Sequence, residues 1–74
     1  MFKKLKLKQE LKEVQQQMVH LEQKRTRSEA AIISALLKHV DPADDDVDYF
    51  NMYTAQIDEL RMRIQEINQQ MDVL

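Results

Sequence analysis

The chain is 74 residues long, with no cysteine, no glycine, a single proline and a formal net charge of −2. That length allows one small domain, and a lone fold of this size buries only about 60% of the surface its unfolded form exposes. Missing cysteine excludes disulfides, thiol catalysis and cysteine-ligated metal centres; missing glycine excludes glycine-rich phosphate loops, dinucleotide turns and Asn-Gly hairpins.

What remains is rich in Gln, Leu, Ile, Met and Glu, a composition suited to long helices. Charge is divided unevenly along the chain. Residues 1–40 carry a balance of +5 and residues 41–74 a balance of −7. Opposite halves attract and like halves repel, so the two are expected to lie against each other, within one chain or across a dimer.

The chain opens on a basic stretch in which Lys3, Lys4, Lys6 and Lys8 flank Phe2, Leu5 and Leu7. Its charge suits a secretory leader, but no apolar run of the required length follows, and no stretch has the ~20 apolar residues of a membrane span. The expected location is therefore the cytoplasm. The lysines could press on an anionic membrane or grip nucleic-acid phosphate. They could equally contact an acidic protein, or be a solvated helix end.

Further along, Leu7, Leu11, Val14, Met18 and Leu21 step by four and three, the spacing of one helix face. The pattern meets Arg25 and Ser28 before resuming at Ile32 and Ala35. No Gly or Pro interrupts the polar stretch 22–29, which predicts one continuous helix over about 5–39. Ile32, Ile33, Leu36, Leu37 and Val40 form an apolar patch wider than a two-stranded seam needs, which suggests more than one neighbouring helix. Arg25 and Arg27, with Lys24, make a second basic patch diluted by Glu22 and Glu29.

The chain turns at Asp41-Pro42-Ala43-Asp44. Proline disfavours helix at the residue before it, so the first helix is expected to stop near His39 or Val40. Asp41 reads as N-cap, Pro42 as first helical residue and Asp44 as the third, which leaves a start at Pro42 or nearer Asp46 both open. The acids that follow complement the positive end of a helix dipole.

The second half carries the clearest pattern. Phe50, Tyr53, Ile57, Leu60, Ile64, Ile67, Met71 and Leu74 alternate steps of three and four for four heptads. This predicts a second helix over about 44–73, all-α architecture, and an antiparallel two-helix hairpin. Folding about the turn places Phe50 near Leu36 and Leu37, Leu60 near Arg25–Ser28 and Met71 near Val14–Met18. The first eight residues then overhang the partner helix, and Arg63 falls beside Lys24, an unfavourable match. The expected helix–helix interface is Leu7, Leu11, Val14, Met18, Leu21, Ile32 and Leu36 on the first helix, with the eight heptad residues on the second. A scaffold of this size without disulfide or metal usually needs oligomerisation, so a homodimeric four-helix bundle or an unidentified protein partner is expected.

Asp44-x-Asp46-x-Asp48 copies the first ligands of a calcium loop, but the glycine position holds Tyr49 and the final glutamate position Ala55. Helix capping explains these acids better, and no metal or other cofactor is expected. His20 and His39 lie too far apart to pair, and His39 suits a helix end. Ser28 and Ser34 lack a base at useful spacing, while Glu59 and Glu66 one turn from Arg63 read as ordinary ion pairs. Two helices offer no concave pocket, so neither an enzyme nor a small-molecule substrate is expected. Tyr49, Met52 and Met62 fall outside the seam and are candidates, with the lysines, Arg25 and Arg27, for a partner surface. The layout resembles that of many short bacterial or phage helical-hairpin proteins, a likeness of architecture that carries no motif. The expected function is a non-enzymatic protein–protein interaction module such as an adaptor, regulator, inhibitor or co-chaperone. The alternative is a peripheral binder of anionic surfaces, nucleic acid or membrane, dimerised through the second helix.

Overall fold

A computed structural model describes residues 2–74, which form two α-helices and no strand. Helix α1 spans Phe2–Leu37 and helix α2 spans Asp44–Asp72. The two pack antiparallel into a rod of 57 × 16 × 15 Å. Its radius of gyration is 16.8 Å, against about 11 Å for a compact globule of this length.

Why α1 is one unbroken helix follows from its residues. It contains neither Gly nor Pro, and its polar middle is made of residues with good to neutral helix propensity. The stretch 22–29 is fully helical. The seam runs through it: Arg25 is half-buried and Ser28 is 8% exposed, at the positions where a heptad would place Leu. Ser28 satisfies its hydroxyl by donating to the Lys24 carbonyl at 3.4 Å, and Thr26 and Thr54 back-bond to Glu22 and Phe50 in the same way.

α1 stops through its own backbone. His39 has φ 58°, the left-handed conformation that normally selects glycine. Val40 N–H donates to Ala35 O at 3.0 Å and His39 N–H donates to Leu36 O at 3.1 Å, the paired bonds of a Schellman ending. That consumes residues 38–40. Asp41, Pro42 and Ala43 then have to carry the chain across to the α2 axis, some 8–10 Å away. Three extended residues span about 10 Å.

α2 starts at Asp44, as the expected span of about 44–73 has it, but its cap differs from the Asp-Pro signature. The residue at the N-cap is Ala43, with φ −61° and ψ 139° and no side-chain cap, and not Asp41. Asp46 and Val47 donate their N–H groups to the Ala43 carbonyl. Pro42 lies ahead of the helix. Asp44, Asp45 and Asp46 do fill its first turn, where the dipole favours them. α1 also ends two residues earlier than expected.

The register differs too. Leu7, Val14 and Ile67 form the buried cluster, with Leu11, Leu60, Ile64 and Met71 packed on it. Leu60 therefore lies toward the start of α1 and not near Arg25–Ser28, and the seam reaches back to Leu7, inside the stretch expected to overhang. A six-residue link between Leu37 and Asp44 moves the fold point back from Ala43, which slides every α2 residue toward the α1 N-terminus. Of the expected interface, Ile57 and Ile67 are wholly buried; Met18, Leu21, Ile32, Phe50 and Tyr53 are half-buried. Leu36 and Leu74 are exposed and take no part in the hairpin seam, where Ala35 occupies the position Leu36 was expected to hold.

Candidate interaction surfaces

Three features lie outside the seam. The first is the cross-helix ion pair that fixes the register. Arg63 Nε donates to Glu10 Oε1 at 2.7 Å, with Nη2 2.5 Å from the same oxygen. Nη1 donates to Glu66 Oε2 at 3.0 Å one turn along α2. The Glu10 hydrogen bond, followed by the Glu66 one, raises the guanidinium pKa above its ordinary value. The expected clash of Arg63 with Lys24 does not arise, because the register delivers an acid from the same chain. Arg61 and Asp58 make a longer, solvent-exposed contact.

The second feature is the turn end. Ile33, Leu36, Leu37 and Val40 are 47, 58, 77 and 54% exposed. The reason is geometric. α2 covers one stripe of α1, and that stripe takes Ile32 and Ala35; neighbours displaced around the helix by 100° or more per residue point elsewhere. Val47, Tyr49 and Met52 are exposed on the first turns of α2, and the Tyr49 and Tyr53 rings stack with centroids 6.1 Å apart. Asp41, Asp44, Asp45 and Asp48 surround this region, all exposed, and Asp46 is half-buried.

The third is the opposite end. Lys3, Lys4, Lys6 and Lys8 are all exposed. Lys3, Lys4, Leu5 and Lys8 line an open cleft together with Leu74. Phe2, Leu5, Val73 and Leu74 are 81, 54, 84 and 56% exposed there. The basic stretch of the sequence thus becomes a basic tip with exposed apolar side chains, and Leu74, just past the end of α2, completes it. Leu7 of the same stretch is buried in the core, as its place in the expected interface has it.

The remaining candidates separate. Arg25 lies half-buried in the seam while Arg27 is exposed beside Val19, Glu22, Gln23 and Thr26 around a shallow cleft. Met62 is exposed alone on the outer face of α2. The candidate partner residues are thus distributed over both ends and the middle of the rod and form no single site. Leu37 and Val40 belong to the apolar patch that the sequence showed to be wider than one seam needs, whereas nothing in the sequence singled out Val73. A single strand of apolar periodicity shows which residues one helix covers, and the rest become visible only once that helix is placed.

Among the described residues, no group of three or more His, Cys, Asp or Glu side chains is placed to hold a metal ion, and no helix is long and apolar enough to cross a membrane. Comparisons with protein-family models, with curated proteins and with solved structures find no match.

Proposed function

We propose that this chain is a non-enzymatic protein–protein interaction module whose turn-end apolar patch is covered by another helical protein surface. The observation that carries this reading is the exposure of Ile33, Leu36 and Leu37 at the end of α1, with Val40 exposed just past it in the link. Leu36 and Leu37 follow Ile33 by three and four, so these three share one helix face, and an apolar face of that kind is suited to receiving a helix. Affinity would come from those side chains, with the aspartates around them selecting the partner and its orientation.

A photo-cross-linking residue at Leu37, compared with one at Val19, tests the reading in cells that produce the protein. Val19 is exposed but isolated on the same helix. A protein adduct at Leu37 with little at Val19 supports the patch as an interface. Equal yields at both, or none at Leu37, contradict it.

A second reading, binding to an anionic membrane, has the basic tip behind it: apolar side chains ringed by four lysines are suited to headgroups. Reversing Lys3, Lys4 and Lys6 to Glu, which leaves Leu7 in the core, would abolish flotation with phosphatidylserine vesicles on that reading. No flotation of the parent chain rejects it.

A further inference from the structure

The two ends of the rod are complementary to each other. One end presents four lysines around exposed Phe2, Leu5, Val73 and Leu74. The other presents five aspartates around exposed Ile33, Leu36, Leu37 and Val40. Within one chain these ends are separated by the length of the rod, 57 Å. That is several screening lengths at physiological salt, about 8 Å each, so neither end neutralises the other.

We infer that two copies of this chain pack side by side with their long axes antiparallel, the basic tip of each seated on the acidic, apolar turn end of the other. This rests on the interaction-module reading above and names the partner. A parallel pair would set four lysines against four lysines and five aspartates against five. An antiparallel pair satisfies both ends at once under one two-fold axis, so the same contact is made twice and the assembly closes. An end-to-end contact would use each complementarity once per joint and would not close.

The surface area agrees. The chain exposes 5958 Å². A folded monomer of its mass, 8.8 kDa, exposes about 4,800 Å². The excess of about 1,200 Å² per chain comes from the rod shape, and it exceeds the roughly 800 Å² per partner that a standard interface covers. Two hairpins arranged so would form a four-helix bundle, the ordinary way for short helical pairs to cover their second faces.

The absence of native cysteine makes a label at one introduced cysteine unique. Lys6→Cys carries a spin label at an exposed site about 6 Å from the rod end, at 1.5 Å per residue. Double electron–electron resonance on the labelled chain, with sedimentation equilibrium on the same sample, reads the arrangement. The antiparallel pair gives a dimer mass and a label separation of roughly 45 Å, the 57 Å rod less that setback at both ends. Mixing this variant with labelled Asp45→Cys adds a short distance, below about 30 Å, since Asp45 of one copy lies by Lys6 of the other. A dimer with Lys6 labels below about 30 Å would be parallel or joined tip to tip, and overturns the inference. A chain that sediments at 8.8 kDa without dipolar coupling overturns it too. If that monomer still cross-links another protein through Leu37, the interaction-module reading survives and only the self-pairing fails.

Discussion

His39 and Ala43 are the two residues that hold the turn least well. His39 occupies left-handed backbone, φ 58°, which costs an L-residue about 1–2 kcal/mol; glycine avoids that cost but gives up about 0.5–1 kcal/mol in chain entropy. His39→Gly is therefore expected to stabilise the hairpin by roughly 0.5–1 kcal/mol in urea melts, with helix content unchanged. Ala43 sits at an N-cap with no side-chain oxygen to offer. Ala43→Ser supplies one, and about 1 kcal/mol of stabilisation is expected in the same assay. If both substitutions destabilise, the ending of α1 and the start of α2 have been misplaced. Arg63 behaves differently. Its pKa is raised, so its contribution is complete below the unfolded value and is lost only as pH rises through the folded one. Both lie in the strongly alkaline range, so no loss of stability from the guanidinium is expected on titrating from neutral to mildly alkaline pH.

The helix pair is held chiefly by a narrow seam. Ile57 and Ile67 are wholly buried, so Ile67→Ala should cost about 2–5 kcal/mol. For a domain whose whole stability is of that order, it should abolish the thermal transition. Arg25→Leu tests the seam from the other side: Arg25 holds a heptad position half-buried, and an apolar replacement is expected to raise stability by about 1 kcal/mol. A drop in melting temperature would place Arg25 outside the seam. These residues show what could be read in advance. The period of three and four along α2 specifies a helix and its buried stripe because side-chain direction repeats with the helical turn. It does not specify the sliding of one helix past the other, since shifting by a heptad preserves the pattern. The register is settled by the length of the link and by the Arg63–Glu10 pair, and the link length depended on a backbone ending at His39 that no residue type announced. The Asp41-Pro42 signal pointed to an N-cap because its chemistry suits one. The need to cross from one axis to the other took those residues instead.

At the scale of the molecule, the rod is polar from end to end, basic and apolar at the tip, acidic and apolar at the turn. The lysines of one end and the aspartates and wide apolar patch of the other stood in the sequence; that Leu74 joins the lysines became legible only with α2 in place. Association through such ends should weaken as salt rises, because exposed charges are screened beyond about 8–10 Å. Leu36→Lys with Leu37→Lys replaces two exposed apolar side chains near a helix C-terminus, where cations are favoured, so α1 should persist. It also sets new positive charge against the tip of the other copy. The most direct measurement is sedimentation equilibrium of the parent chain and this double variant at low salt. The expected result is about twice 8.8 kDa for the parent and 8.8 kDa for the variant, with equal helicity. A monomeric parent, or a variant that remains dimeric, would contradict the turn end as the surface that two copies share.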